Sequence, residues 1–330
     1  MMNKFLDKLE LLSPAGSFEC AKAAIDAGAD AIYMGGAKYG ARAFAKSTSD
    51  NSIIDTIKFV KENDKKFYLT VNTLFKQREL KEIFLFLDPI VDVGVDAFIV
   101  QDLGVAMLLK SKYPNVELHA STQMTITSSK AINLIKALGF TQVVLARELS
   151  INEIKAIKKE IGDDIKLEAF VHGSMCYSYS GACLMSSFIG GESGNRGRCK
   201  GPCRLPYRRV EFHEPSNRRG EFHEPAPYIL SMKDMCALNS LSGLINAGVT
   251  SFKIEGRMRQ ADYVYGVTKT YRKYLDAIIR LHSMGEFHEP DIKKDEQYLL
   301  QLYNKGGFTN YYDFHNSNDM IQRYERKKKK

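Results

Sequence analysis

The chain has 330 residues, of which 44% are hydrophobic and 26% are charged, and this composition is typical of a soluble globular protein with one large α/β domain or two smaller ones. The first ten residues lack the apolar run of a signal peptide, and no stretch approaches the roughly 18 uncharged apolar residues of a membrane-spanning helix. We therefore expect a cytoplasmic protein with no membrane partner.

The net charge of +8 includes four lysines at positions 327–330. Without this lysine tail the charge is about +4, which is compatible with a nucleic-acid partner but does not require one.

Short apolar runs rich in β-formers alternate with amphipathic helical stretches along the chain. In four of the units a glycine follows the helix as a C-cap before the next strand begins, at Gly28, Gly94, Gly139 and Gly248. The predicted strands are 9–13, 31–34, 66–71, 97–101, 117–120, 142–146, 166–171 and 251–254. The predicted helices are 17–28, 51–63, 79–92, 104–112, 128–138, 151–160, 237–247 and 260–281.

Eight strands, each paired with a helix, favour a (β/α)8 TIM barrel over an open doubly wound sheet. No Gly-x-Gly-x-x-Gly follows the first strand, which weakens the dinucleotide-binding alternative. We place the barrel domain at 1–282, with an insertion at 173–227 after strand seven, and a C-terminal extension with the lysine tail at 283–330.

In a barrel of this kind, the chemistry lies where the strands end. The candidates at these positions are His172, Lys253 and Glu255 for catalysis, and Arg147, Arg257, Asn72 and Gln123 for substrate binding. The three cations suit a carboxylate or phosphate, although surface ion pairs with Glu148 and Glu255 would explain them equally well. His172 and Glu255 are candidates for proton transfer, but a histidine at a strand end is as often structural.

Four of the six cysteines lie in one 28-residue window, as Cys176-x6-Cys183-x15-Cys199-x3-Cys203. In a reducing compartment such clustering indicates metal binding or catalysis more often than disulfides. Four thiolates can hold zinc or an iron–sulfur cluster, and the wide first spacing favours iron–sulfur because zinc sites usually pair cysteines two to four residues apart. A thiol nucleophile with His172 as its base is the rival interpretation.

Two further features belong to the metal question. Cys20 lies in a predicted helix and Cys236 lies where one is predicted to start; both are expected to be buried thiols, with Cys236 as a reserve ligand. The pentapeptide Glu-Phe-His-Glu-Pro occurs at 211–215, 221–225 and 286–290, so that His213, His223 and His288 could bind a metal, but exposed insertions are the favoured interpretation.

Several segments together resemble the U32 peptidase family. They run from Glu10-Leu-Leu-Ser-Pro-Ala-Gly16 to Asn304-Lys-Gly-Gly-Phe-Thr309, and between these ends they comprise Phe170-Val-His-Gly-Ser-Met-Cys176, Tyr179-Ser-Gly-Ala-Cys183, Arg196-Gly-Arg-Cys199-Lys-Gly-Pro-Cys203-Arg204, Ser231-Met-Lys-Asp234 and Lys253-Ile-Glu-Gly-Arg257.

The family is named for collagenase-like protease activity, a hydrolase reaction. Its better-understood members are iron–sulfur proteins of oxygen-independent hydroxylation. Some convert the wobble uridine of tRNA to 5-hydroxyuridine with prephenate as co-substrate, and others act on a 23S rRNA cytidine or in ubiquinone synthesis. The tRNA-type members carry C-x6-C followed by C-x3-C, a pattern that falls on Cys176, Cys183, Cys199 and Cys203, whereas the quinone-type members lack the second pair.

The resemblance therefore implies a tRNA hydroxylase with a [4Fe-4S] cluster on the four cysteines, zinc being the alternative metal. A peptidase is the alternative activity. Longer members continue into a small C-terminal β domain, so this chain also resembles shorter paralogues that work beside a longer partner, and a non-catalytic subunit is the third interpretation.

Overall fold

The computed structural model describes residues 6–36, 38–41, 50–207, 210–211, 221–222, 228–284, 290–310 and 320. Its strands are β1 (Glu10–Pro14), β2 (Ala31–Gly35), β3 (Lys66–Val71), β4 (Ala97–Val100), β5 (Glu117–Ala120), β6 (Gln142–Val144), β7 (Lys166–Ser174), β8 (Val210–Glu211), β9 (Glu221–Phe222), β10 (Asp234–Cys236), β11 (Val249–Ile254) and β12 (Phe308–Thr309). Its helices are α1 (Phe18–Asp26), α2 (Asp50–Glu62), α3 (Ile83–Asp92), α4 (Leu103–Lys112), α5 (Ser129–Ala137), α6 (Ile151–Ile161), α7 (Met185–Gly190), α8 (Leu241–Asn246), α9 (Ala261–Met284) and α10 (Ile292–Gln301).

The strands β1 to β7 and β11 form a closed parallel barrel. Each strand pairs with the next in chain order, and β11 pairs in parallel with both β7 and β1. The predicted TIM barrel is therefore confirmed. The four glycines predicted to end helices have φ angles of 88° to 97°, a region that side chains with a Cβ rarely adopt.

The helices and the outward faces of the strands form the main apolar core, whereas the barrel interior is mixed. A small apolar cluster inside the barrel includes Leu12, Tyr33, Tyr68 and Ile99. Glu168 and Lys253 share this interior, and both are almost fully buried. A buried charge is stable only when it has a partner of opposite charge or a hydrogen-bond partner, so these two side chains are expected to pair inside the barrel.

The chain after β7 extends the sheet beyond the barrel. β10 pairs antiparallel with the end of β7, and β12 pairs in parallel with β10. Cys236 lies in β10, so its predicted helical position was wrong. The proposed boundary at residue 282 falls within α9, which ends at Met284.

Parts of the predicted insertion and extension lie outside the described residues. Among the repeats, Glu211 pairs with Glu221 in the short antiparallel β8–β9 ladder. His213, His223, His288 and the lysine tail lie outside the described residues. Within the described part of the chain, no helix is both long enough and apolar enough to cross a membrane.

A candidate active site at the barrel mouth

Three cations lie buried at the carboxyl end of the barrel. Arg147 follows β6, Lys253 lies in β11 and Arg257 follows β11, with exposed fractions of 7%, 3% and 7%. The Arg147 guanidinium lies 3.8 Å from the centroid of the Phe170 ring, and the Lys253 Nζ lies 5.6 Å from it. Lys253 also lies 4.4 Å from the Tyr33 ring, and Arg257 lies 5.8 Å from that ring. The cations thus alternate with two aromatic rings across the mouth.

Glu168 is the direct ionic partner of Lys253. The Lys253 Nζ lies 2.6 Å from Glu168 Oε1, while Gln142 Nε2 and Ser251 Oγ donate to Oε2 at 2.5 and 3.2 Å. Burial lowers the pKa of Lys253, as does the nearby charge of Arg257, whereas Glu168 acts in the opposite direction. Sequence reasoning missed Glu168 because it lies in mid-strand. Its signal was a carboxylate inside an otherwise apolar run.

Arg147 and Arg257 are held differently. Arg257 donates to Thr70 Oγ1 at 2.7 Å, and a Cβ on Gly35 would lie 2.7 Å from its Nη1, so the guanidinium fits closely against β2 and β3. The Arg147 Nε is buried and has no hydrogen-bond partner in the described residues. A buried donor without a partner is costly, so the Arg147 side chain is suited to receive an anion.

Asn72 and Gln123, predicted to contact substrate, make scaffold contacts. Asn72 Oδ1 accepts from the Ala41 backbone N–H at 3.0 Å, and its Nδ2 donates to Ser121 Oγ at 3.3 Å. The Gln123 carbonyl accepts from Gln101 Nε2 at 3.3 Å. These contacts join the loops after β2, β3, β4 and β5 beside the three cations.

A β-bulge turns His172 away from the barrel interior. Phe170 is paired with Lys253 and His172 with Ile254, so that β7 has one residue more than β11 between these pairs. His172 consequently packs against Tyr271 and Phe308, with ring centroids 5.5 and 5.2 Å away. Burial lowers its pKa to about 3, which keeps the imidazole neutral. The structure does not bring His172 together with the three cations.

Glu255 belongs to a second charged group beside the mouth. Its backbone N–H donates to the His172 carbonyl at 2.9 Å. Asp234 is almost fully buried, and burial raises its pKa, while burial lowers the pKa of Lys305. The charge of Glu255 affects both groups, raising each pKa, so the three side chains are electrostatic neighbours.

The segment with the four cysteines, which we call the cysteine loop (residues 175–205), is fastened across the loops of the barrel mouth. Ser180 N–H donates to Glu148 Oε1 at 2.9 Å, and its carbonyl accepts a hydrogen bond from Thr125 Oγ1. A Cβ on Gly181 would lie 2.1 Å from the Gln123 carbonyl oxygen, so a side chain there would separate the two backbones.

Two arginines fasten the rest of the cysteine loop. Arg196 forms an ion pair with Glu79, with Nη2 and Oε1 2.5 Å apart, and also donates to the Leu74 carbonyl. Arg204 donates to Ser231 Oγ at 2.9 Å and to the Met175 carbonyl. The loop is therefore tied to the segments after β3, β5 and β6 and to the residues before β10.

The four thiols of the loop are neighbours. Burial raises the pKa of Cys203 and the charge of Arg204 lowers it, while Cys176, Cys199 and Cys183 each raise it, so these three thiols lie within electrostatic reach. The Gly201 N–H donates to Cys199 Sγ at 3.3 Å, and Ser186 Oγ donates to it at 3.7 Å. In the described part of the chain, no three metal-binding side chains stand at ligating distance from one another. The loop thus keeps Cys203 within electrostatic reach of the other three thiols.

The donor set suits an iron–sulfur cluster. Four thiols on one loop can complete the ligand set of a [4Fe-4S] cluster, and N–H groups directed at a ligating sulfur tune such clusters. Cys236 is separate: burial raises its pKa to about 12, and the Tyr271 hydroxyl donates to its Sγ at 3.8 Å. The predicted buried-thiol character of Cys236 agrees with this placement.

A cleft of about 700 Å³ opens at the opposite, amino end of the barrel. Lysines and carboxylates line it and pair with one another, as in Lys158–Asp163 at 3.2 Å and Lys66–Glu10 at 3.6 Å. Because these charges are compensated internally, the carboxyl end with its three cations is the better candidate for chemistry.

The fold and the site define a TIM-barrel protein with a four-cysteine loop over its mouth. The chain belongs to the U32 peptidase family, whose model matches residues 16–322. It is 39% identical over 308 residues to the 23S rRNA 5-hydroxycytidine synthase of Escherichia coli (strain K12), covering 92% of this chain and 45% of that protein. It is 37% identical over 270 residues to a tRNA hydroxylation protein of Bacillus subtilis (strain 168), covering 82% and 64%.

The chain therefore spans less than two thirds of the length of either relative. A solved U32 peptidase superposes with a TM-score of 0.50 at 13% identity, covering 75% of this chain and 93% of that one. This structural likeness supports the fold alone.

Proposed function

We propose that this chain hydroxylates a pyrimidine base of RNA without molecular oxygen, converting the wobble uridine of tRNA to 5-hydroxyuridine. The observation that carries the proposal is the cysteine loop fastened over a mouth in which Arg147, Lys253 and Arg257 lie buried. The names of the two RNA-hydroxylation relatives support the reaction class.

The three cations bind an anionic co-substrate in this proposal. Arg147 offers a planar guanidinium stacked on Phe170, with an Nε that has no partner in the described residues. A guanidinium binds a carboxylate through two parallel hydrogen bonds, and a buried site strengthens each of them. Prephenate, the co-substrate that the family resemblance implies, is a dicarboxylate and fits a site with several cations.

Cys176, Cys183, Cys199 and Cys203 hold the [4Fe-4S] cluster. When bound, the cluster supplies one-electron redox chemistry or a Lewis-acidic iron. The protein's own contribution is to fasten the cysteines across the mouth and to orient the ligands through contacts such as Gly201 N–H to Cys199 Sγ. Zinc is the alternative metal, since four thiolates also complete a structural zinc site.

Proton transfer is assigned to Lys253 and Glu255. Burial lowers the pKa of Lys253, so its ammonium gives up a proton more readily than an exposed lysine does, and Glu168 holds its Nζ in place. His172, the third candidate from the sequence, faces Tyr271 and Phe308, and this placement favours a structural role for it.

Two alternatives rest on weaker observations. A peptidase needs a nucleophile with a base, and the described contacts of His172 are with rings of α9 and β12. A non-catalytic subunit beside a longer U32 paralogue is the other alternative that the family resemblance implies. An rRNA cytidine is the alternative base. The C-x6-C and C-x3-C pattern supports the RNA branch of the family over the quinone branch, and within the RNA branch we propose tRNA.

The test is deletion of the gene followed by mass spectrometry of tRNA and rRNA nucleosides. We expect the deletion strain to lose a 5-hydroxypyrimidine, and the wild-type gene, but not Cys199→Ser, to restore it. Protein purified anaerobically should contain iron and sulfide and absorb visible light. Unchanged nucleosides in the deletion strain would refute the proposal, and protease activity that survives serine substitution of all four cysteines would favour the peptidase.

A further inference from the structure

A third of the exposed large apolar side chains in the described residues lie in the cysteine loop. These are Tyr177, Tyr179, Leu184, Phe188, Ile189 and Leu205. Tyr177 is 53% exposed, Tyr179 is 61% exposed and Phe188 is 84% exposed. Packing in the barrel does not account for this cluster, and concentrated exposed apolar surface marks an interaction site.

The inner side of α7 is committed to the cysteine loop, which leaves Phe188 on the outer side. Ser186 is buried: its Oγ donates to Cys199 Sγ and accepts from the Lys200 N–H at 3.0 Å. Phe188 follows two residues later, about 200° around the helix, so its ring points away from the sulfur atoms. Tyr177 directly follows Cys176, and both residues are exposed. The exposed rings therefore belong to the same loop as the cysteines and are open to solvent.

Basic side chains flank these rings. Within the cysteine loop, Lys200 is exposed, and Arg198 is 61% exposed and lies 3.7 Å from Glu192, the one acidic residue of residues 176–205. The Arg196–Glu79 ion pair places the segment after β3 beside the loop, and this segment carries three more exposed cations. They are Lys76, Arg78 and Lys81, and they outnumber the two carboxylates of the same segment, Glu82, which is exposed, and Glu79, which is paired with Arg196.

We infer that Tyr177, Tyr179 and Phe188 form a stacking surface for a single-stranded RNA loop, whose phosphates are bound by the flanking cations. This inference rests on the proposed function, because a base must leave its stack to reach the barrel mouth. Aromatic rings interleaved with cations bind unpaired bases, whose faces stack on the rings. The positive charge of the flanks opposes docking of a second copy of the chain and favours a polyanion.

The test is fluorescence anisotropy with protein purified anaerobically and a labelled RNA hairpin that has a pyrimidine-rich loop. Phe188→Ala and the pair Tyr177→Ala/Tyr179→Ala should each raise the Kd about tenfold or more. Phe188→Leu separates stacking from simple apolar contact, because it keeps the hydrophobic side chain and loses the ring. Tyr265→Ala, which removes an exposed ring on α9, is the matched control and should leave the Kd unchanged.

Blunt double-stranded RNA of the same length should bind more weakly and be insensitive to Phe188→Ala. Lys76→Ala/Arg78→Ala should flatten the dependence of the Kd on salt. Wild-type affinity in Phe188→Ala and Phe188→Leu would overturn the inference. A second result would also overturn it: the wild-type protein forms dimers in light scattering, and Phe188→Ala dissociates these dimers without changing the RNA affinity.

The deletion strain separates this inference from the proposed function. Full restoration of the modified nucleoside by the Phe188→Ala gene would refute the stacking surface and leave the hydroxylase standing. A deletion strain with unchanged nucleosides would refute the hydroxylase, whatever the anisotropy shows.

Discussion

Replacing Glu168 by Gln tests the buried ion pair at the centre of the barrel. Three donors converge on this carboxylate, from Lys253, Gln142 and Ser251. Glutamine has nearly the same shape but keeps one acceptor oxygen, so the Lys253 ammonium loses its ionic partner while it stays buried. Removing one member of a buried pair costs about 3–5 kcal/mol, a large share of the roughly 5–15 kcal/mol that stabilises a typical domain.

The effect has a defined pH dependence. Burial lowers the pKa of Lys253 below the unfolded value of 10.5, so between the two values the unfolded chain binds more protons at this site than the folded chain. Stability from this group therefore rises with pH toward 10.5 and falls as the pH decreases. Glu168→Gln lowers the pKa of Lys253 further, so the loss should be larger at neutral than at alkaline pH.

Urea unfolding followed by circular dichroism measures these changes, since the chain has no tryptophan. The double variant Glu168→Gln/Lys253→Met should be more stable than Glu168→Gln, because it removes the unpaired charge. Asp164→Asn, which breaks an exposed pair with Lys136, is the control and should cost at most about 1 kcal/mol. A loss in Glu168→Gln no larger than in this control would refute the reasoning.

Three further predictions concern the mouth and its loop. Arg147→Met should lower kcat/KM for the anionic co-substrate about 10- to 100-fold in a steady-state assay. Arg147→Lys should recover only part of the lost kcat/KM, because lysine lacks the planar guanidinium. A kcat/KM equal to that of the wild type in Arg147→Met would contradict the role of Arg147 in binding the anion. Gly181→Ala should lower both the iron content per chain and the melting temperature, because the new Cβ would meet the Gln123 carbonyl and the φ angle of residue 181 is +76°. Gly190→Ala is the control, because its new Cβ would meet no atom within 4 Å. Metal analysis should show that Cys199→Ser loses iron and that Cys236→Ser retains it. The reverse result would make Cys236, and not Cys199, the iron ligand.

Local patterns made the barrel predictable. Apolar periodicity marked the strands and helices, and glycines such as Gly28 and Gly248 marked the helix ends, because a positive φ is a property of a single residue. The grouping of Arg147, Lys253 and Arg257 followed from the rule that parallel strands of a barrel end at one face. The functional assignments of these residues remain predictions.

Other features depended on pairing between distant segments. The local pattern predicts a helix start at Cys236, yet this residue lies in β10 because it pairs with the antiparallel end of β7. The local pattern does not indicate a role for Glu168, because its partner Lys253 is 85 residues away. A local pattern contains neither pairing.

The amino-acid sequence alone determined the barrel, the strand ends and the grouping of four cysteines in one segment, because these follow from properties of single residues and near neighbours. Only the tertiary structure decided that an extra residue in β7 directs His172 toward α9, and that the cysteine loop is fastened across the mouth by contacts such as Arg196–Glu79. Both depend on the register between segments that are far apart in the chain, and register is set by the packing of the whole barrel.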